Sequence, residues 1–438
     1  MLRRKFLGTA GMAIGAAALP ASAAVATQAT VAPQNSASSK PAPGDWSALR
    51  NLFPLTRDYI QLATFLLASH PKPVSELIEK HRLGLDDNPA DYYHNHQTIE
   101  LTIAKAAAAY MGGDWSQIIL TDSTTMGLAM VYNGIKVNAG DELLHTVHDH
   151  YATDMSLANK AVQSGAVVKQ VTLYDSPAEV SVAQCQQRLK AGITDKTRVV
   201  AVTWVHSGTG VKLPIKALSE VVQAANVGRD EAEQILFCVD GVHGFGIEDQ
   251  DVSKLGCDFF IAGTHKWIFG PRGTGVVWGS DKGWARSSPI IPSFSIDYLV
   301  WMGLMPQDKV PTGMHFTPGG FHSFEHRWAL PAAFELHQQL GKANVQSRIH
   351  ELNTRTKEGL AAMPHVKLYT PMSTELSSGL VCFDVDGMKP TKVVKRMHAK
   401  GIIMSSTPYK QSYARFAPSL LNNEAEIDMA LAEIQAMA

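Results

Sequence analysis

The stretch "FFIAGTHKWIFGPRGTG", Phe259 to Gly275, decides how this chain is read. An apolar run, Phe259–Ala262, leads into His265-Lys266, and a glycine-rich segment follows. The run reads as a buried strand ended by turn residues. Desolvation at its end would lower the lysine pKa and make the amine a nucleophile toward carbonyls. A structural lysine at a strand end explains the position equally well when Lys266 is taken alone.

Outward from this point the pattern alternates. Strands are expected at 117–121, 142–150, 167–173, 198–205, 235–240, 258–263 and 274–279, with helices at 124–135 and 154–165 between them. Most of the strands are continuous apolar runs, as expected where both sheet faces are covered. Alternation of strand and helix predicts an α/β chain with a mostly parallel sheet. Past about residue 320 the texture changes: a helix is expected over 325–341, another to about 362, and strands at 380–385 and 412–417, as in a smaller α+β domain.

In such a sheet, ligands bind beyond the carboxyl ends of the strands, and five polar features fall there. Asp122–Gly127, "DSTTMG", opens a helix; its amides and hydroxyls suit a phosphate, or simply cap the helix. Asp240 ends an apolar strand, where an unpaired carboxylate is costly, so a cationic partner or solvent is required. Lys266 is the third. The fourth is "HTVHDHY", in which His145, His148 and His150 cannot share one face of a strand, so a metal site is disfavoured and a ring stacked on a planar ligand is the other use. The fifth is Arg415, which could clamp a carboxylate. Together they specify a phosphate pocket, an acid, an amine, a ring and a clamp. That is what pyridoxal 5′-phosphate (PLP) on an amino acid requires.

Composition excludes several classes. The chain has 438 residues with 39 basic and 40 acidic side chains, so no basic surplus calls for nucleic acid or an anionic membrane. The N-terminus, "MLRRKFLGTAGMAIGAAALPASAA", has a basic start, a short apolar run and Ala21-Ser22-Ala23 as a cleavage site. Arg3-Arg4 is a twin-arginine signal, so residues 1–24 are expected to direct export of a folded protein to the periplasm. Removing it leaves 36 basic against 40 acidic residues. Residues 25–44, rich in Ala, Ser, Pro and Gln, read as a disordered spacer. Cys185, Cys238, Cys257 and Cys382 are expected to be buried hydrophobes rather than disulfides.

The order of motifs resembles the class V aminotransferases, a PLP-dependent family of fold type I that includes cysteine desulfurases and isopenicillin N epimerase. Its signature is matched by "VDGVHGFG" followed by "THKWIFGPRGTG". The resemblance runs from about residue 55 onward. It implies a large PLP-binding domain over 69–319 and a small domain made of 45–68 and 320–438. It further implies that Lys266 binds the cofactor aldehyde, that Asp240 pairs with the pyridine nitrogen, and that His243 lies near the ring. His150 would stack on the ring, Thr124, Thr125 and His265 would hold the phosphate, and Arg415 the substrate carboxylate. Thr317, in "FTPGG", would reach the phosphate of a second subunit, making the enzyme a homodimer. His206 or Ser207 stands where desulfurases carry a cofactor contact, and Gly263 where a phosphate-binding serine is common. "GIIMSSTPYKQSYARFAP" lacks the cysteine a desulfurase needs. The family thus implies transamination or epimerisation at Cα. Exported members resemble an enzyme that tailors the siderophore pyoverdine. A metal-binding protein or metallo-hydrolase built on the three histidines is the reading from another class.

Overall fold

A computed structural model describes residues 41–293, 296–320 and 322–438. The expected signal and the spacer up to Lys40 lie outside the described residues.

The centre is a seven-stranded sheet. Its strands are β2 (Ile118–Thr121), β3 (Glu142–Thr146), β4 (Val167–Val171), β5 (Thr197–Thr203), β6 (Leu236–Asp240), β7 (Phe259–Gly263) and β8 (Gly275–Gly279), after a two-residue β1 (Ile60–Gln61) that belongs elsewhere. The order is β2-β8-β7-β6-β5-β3-β4. Only β8 runs antiparallel, against both β2 and β7. The carboxyl ends of β2, β3, β5, β6 and β7 therefore share one edge.

The unbroken apolar runs follow from this position. Phe237, Val239, Phe260 and Ala262 enter the core on one face of the sheet. Their neighbours Leu236, Cys238, Phe259 and Ile261 enter the core on the other. Alternate residues point to opposite faces, so a strand covered on both sides has no polar positions to offer. Burying one such side chain contributes roughly 1.5–3 kcal/mol.

A second, four-stranded antiparallel sheet has the order β12-β13-β10-β9. Its strands are β9 (Val366–Leu368), β10 (Val381–Val385), β12 (Ser405–Ser406) and β13 (Ala414–Phe416). β1 pairs in parallel with β11 (Ile402–Ile403). Phe383, Phe416, Leu352 and Ile427 centre a separate apolar core beneath this sheet.

Two expected elements differ. The strand expected over 142–150 stops at Thr146. Asp149 stops it: its carboxylate accepts from the N–H of Thr146 at 2.6 Å and of Thr203 at 2.8 Å, folding the chain off the ladder. The helix expected over 325–341 is two helices, Phe324–Trp328 and Leu330–Leu340. Pro331 lies in the first turn of the second, where its missing N–H costs nothing. All four cysteines are free and buried, as expected.

Candidate active site

The candidate site lies at the carboxyl edge of the seven-stranded sheet. Asp240 is the last residue of β6 and is 2% exposed. Its Oδ1 accepts from the N–H of Val242 at 3.2 Å. Oδ2 has no hydrogen bond among the described residues. Burial pushes the carboxyl up to about 7, against the pull of the Val242 N–H and the Lys266 charge. A cationic ring nitrogen at Oδ2 would supply the partner this buried acid lacks.

Lys266 follows β7 by three residues. Burial lowers its ammonium to about 8, Asp240 opposing and Arg415 adding to the fall. Its Nζ is 3.4 Å from His243 Nε2. Trp267 donates its indole N–H to His243 Nδ1 at 3.2 Å. Burial, then the Lys266 and Arg415 charges, hold His243 well below the usual imidazole range, so the ring is neutral. Beyond the lysine the chain turns sharply, with Phe269 at φ +58°, a left-handed position that costs a non-glycine residue roughly 1–2 kcal/mol. Packing of its ring edge-on against Phe53 at 4.9 Å helps to hold it.

The helix Thr124–Gly134 begins beside this loop, with Ser123 as its N-cap. Thr124 Oγ1 accepts from the N–H of Gly263 at 2.8 Å. A Cβ at Gly263 would fall 2.8 Å from that oxygen and 2.9 Å from His265 Cε1. The space of the serine common at this position is thus filled by Thr124. The start of this helix, with exposed Thr125 as its second residue, and half-buried His265 lie beside Gly263, and a helix N-terminus suits a phosphate.

His150 caps the helix Tyr151–Ser164, its Nδ1 accepting from the N–H of Ala152 at 3.4 Å. His148 is elsewhere, stacked on Tyr174 with centroids 3.9 Å apart, and His145 lies buried against Asp149 and Asp154. The three histidines diverge, which corrects the metal reading. Among the described residues no group of acidic, histidine and cysteine side chains could hold a metal ion.

His206 and Ser207 part company as well. His206 is turned inward: Nδ1 meets the Tyr174 hydroxyl at 2.7 Å, and burial lowers its pKa to about 3. Ser207 faces Tyr409, their hydroxyls 2.6 Å apart, and its carbonyl accepts from Arg415 Nη1 at 2.5 Å. Arg415, on β13, also donates from Nε to Ser405 Oγ at 3.1 Å. Its Nη2 has no hydrogen bond among the described residues, although the side chain is buried, so a carboxylate would supply the partner it lacks. The guanidinium lies over the Phe65 ring at 4.5 Å.

Thr317 ends the short helix Thr312–Phe316. It is buried, its hydroxyl donates to the Gly313 carbonyl at 2.7 Å, and it accepts from the N–H of Leu120 at 3.3 Å.

Phe65, Trp267 and Tyr409 were not marked as site residues by the sequence. Phe65 comes from the loop before the first long helix and touches His243, Trp267 and Arg415 together. No local pattern signals it. Tyr409 carried a weak signal, since it occupies the loop before Arg415 that bears no cysteine.

Residues 81–408 match the family described as aminotransferase class-V. The chain belongs to that family. This class-V protein is 25% identical over 351 residues to the isopenicillin N epimerase of Streptomyces clavuligerus, covering 77% of this chain and 84% of the relative. A probable cysteine desulfurase of Halalkalibacterium halodurans is also 25% identical, over 290 residues, covering 65% of this chain and 66% of that one. Among solved structures, a mutant of the lyase C-DES with glycine covalently linked to its PLP cofactor superposes with a TM-score of 0.79 at 21% identity, over 88% of this chain and 98% of that one. An apo cysteine desulfurase of Thermococcus onnurineus gives 0.75 at 20%, over 89% and 97%. These likenesses show the fold of PLP-dependent enzymes of type I. The class-V enzyme takes PLP as its cofactor, and the unpartnered Asp240 oxygen, the desolvated Lys266 amine and the Thr124 cradle fit that group.

Proposed function

We propose that this class-V enzyme is an aminotransferase acting at the Cα of an amino acid or a peptide-borne amino group. The observation that carries the reading is the joint placement of Asp240 and Lys266, a buried carboxylate and a desolvated amine at the ends of adjacent parallel strands.

PLP, when bound, supplies an electron sink for the carbanion left when Cα loses its proton. The residues of this chain then have distinct tasks. Asp240 keeps the pyridine nitrogen protonated. The Thr124–Thr125 helix start and His265 anchor the phosphate, and His150 covers the ring. Arg415, pinned by Ser207 and Ser405, holds the substrate carboxylate through Nη2. Lys266, its pKa lowered to about 8 so that the free amine is within reach near neutral pH, takes the proton from Cα and returns it elsewhere.

The biological setting we propose is tailoring of a siderophore or another secondary metabolite outside the cytoplasm. Arg3-Arg4 and the Ala21-Ser22-Ala23 site support export, and an exported folded chain would carry its cofactor with it. We also propose a homodimer in which the Thr317 segment reaches the site of the second subunit.

Epimerisation is the second reading, and Tyr409 favours it. It needs an acid on the ring face away from Lys266. Tyr409 lies on the His150 side, ring centroids 6.3 Å apart, with its hydroxyl beside the Arg415 clamp through Ser207. Reaction with a panel of amino donors in heavy water separates the two. Transamination yields a carbonyl product and aminated cofactor; epimerisation yields inverted substrate carrying deuterium at Cα. Neither product from any donor, in protein that holds PLP, overturns both readings.

A further inference from the structure

The indole next to Lys266 does more than exclude water. Trp267 is 2% exposed and lies parallel to Phe65, centroids 5.9 Å apart. Its position is built in from the other side too. A Cβ at Gly379 would fall 2.7 Å from Trp267 Cη2, so only glycine leaves room for the ring. The indole therefore has one orientation, and in it the N–H points at His243 Nδ1, 3.2 Å away.

An indole nitrogen only donates, so His243 Nδ1 must present its lone pair. The neutral imidazole then carries its proton on Nε2. Nε2 is the atom that faces Lys266 Nζ at 3.4 Å. The charged and titratable groups around the pair leave this tautomer unprotonated at Nδ1. Lys266 on the loop after β7, Arg415 on β13 and His150 at its helix start all oppose a positive imidazole. Asp240 on β6 faces Lys266.

We propose that Trp267 is a positioning residue that locks the tautomer of His243, so that Nε2 always offers a proton to the Lys266 nitrogen. A fixed donor stabilises that nitrogen when it carries a lone pair and disfavours it when protonated. Lys266 is thereby held ready as base and nucleophile, and His243 cannot trap it as an ammonium by accepting from it. This rests on the reading of Lys266 as the cofactor-binding lysine. Failure of that reading would show as protein without PLP absorption, or with reductive labelling at another residue. Failure of the tautomer lock shows only in protein that has its cofactor on Lys266.

The test uses the full-length holoenzyme labelled with [15N]histidine. The His243 resonances, assigned by their loss in His243→Gln, should show a bare Nδ1 and a protonated Nε2. In Trp267→Phe, the pH midpoint of the bound cofactor's visible absorption should rise by about one unit, a tenfold change in the proton equilibrium. Adding Trp267→Phe to His243→Gln should leave the midpoint of His243→Gln unmoved, because the indole acts only through the imidazole. A protonated Nδ1 in the wild-type enzyme overturns the proposal, and does so even if Trp267→Phe fails to fold. An unchanged midpoint in Trp267→Phe, or an equal shift in the His243→Gln background, overturns it too.

Discussion

Asp240 ends β6 and Lys266 follows β7 by three residues; these neighbouring strands of the seven-stranded sheet are paired on both sides, β6 between parallel partners and β7 between parallel β6 and antiparallel β8. Arg415 stands on a three-residue strand of the other sheet, and Tyr409 on a loop beside it. Continuous ladders in a doubly covered sheet leave the first pair almost no freedom. Short strands and side-chain hydrogen bonds to Ser207 and Ser405 place the second pair. The cofactor chemistry is thus written into the part of the fold that is hardest to alter, and substrate choice into the part that is easiest. One fold can therefore carry several reactions on one cofactor.

Substitutions on the two sides should separate in size. Lys266→Ala removes the proton carrier and should lower turnover with any accepted amino donor by about ten-thousand-fold, measured under single-turnover conditions. PLP should still be retained by the phosphate cradle and by Asp240, but it should no longer resist dialysis as a covalent adduct does. Retained turnover would break the contrast at its strongest point.

Asp240 can be tested through stability. Its carboxyl titrates near 7 in the folded, cofactor-free protein but near 3.8 in an open chain. The folded state then holds a proton that the unfolded state has lost, so this group costs stability as pH rises from about 4 to about 7. Asp240→Asn should make the cofactor-free protein more stable above pH 7, by an amount on the order of a few kcal/mol that vanishes near pH 4. Thermal melts across that range read it. Loading with PLP should reverse the sign for the wild type, because the ring nitrogen gives the ionised acid its partner.

On the substrate side, Arg415→Lys keeps the charge but loses the fork. A charge-assisted hydrogen bond contributes about 1.5–3 kcal/mol, so KM should rise roughly ten- to a hundredfold with a smaller change in kcat. Tyr409→Phe removes one hydrogen bond to Ser207, about 1 kcal/mol, and should cost a transaminase only a few-fold. An epimerase would instead lose inversion while keeping exchange at Cα, which heavy-water product analysis detects.

The same division explains what the sequence disclosed. The central strands β6 and β7 are unbroken apolar runs because both faces are buried, so their ends, and with them Asp240 and Lys266, could be read locally. Much of what was not legible turns on partners that side chains find only in the folded chain. Asp149 ends β3 by bonding Thr203, 54 residues away. Thr317 looks free in "FTPGG", yet its hydroxyl is held by Gly313 and Leu120. His206 and Ser207 are adjacent in the chain but turn to Tyr174 and Tyr409 respectively. Phe65, Arg415 and Trp267 meet only after the chain has folded, and no spacing announces them.

The four cysteines carry one more consequence. Burial raises the thiol pKa of each, so almost no thiolate exists at neutral pH. Thiolate, not thiol, attacks oxidants and disulfides. The molecule is therefore redox-silent: no oxidase or isomerase is needed to mature it, and none has a thiolate to attack. The thiols of such a chain would stay in the same covalent state in a reducing and in an oxidising compartment.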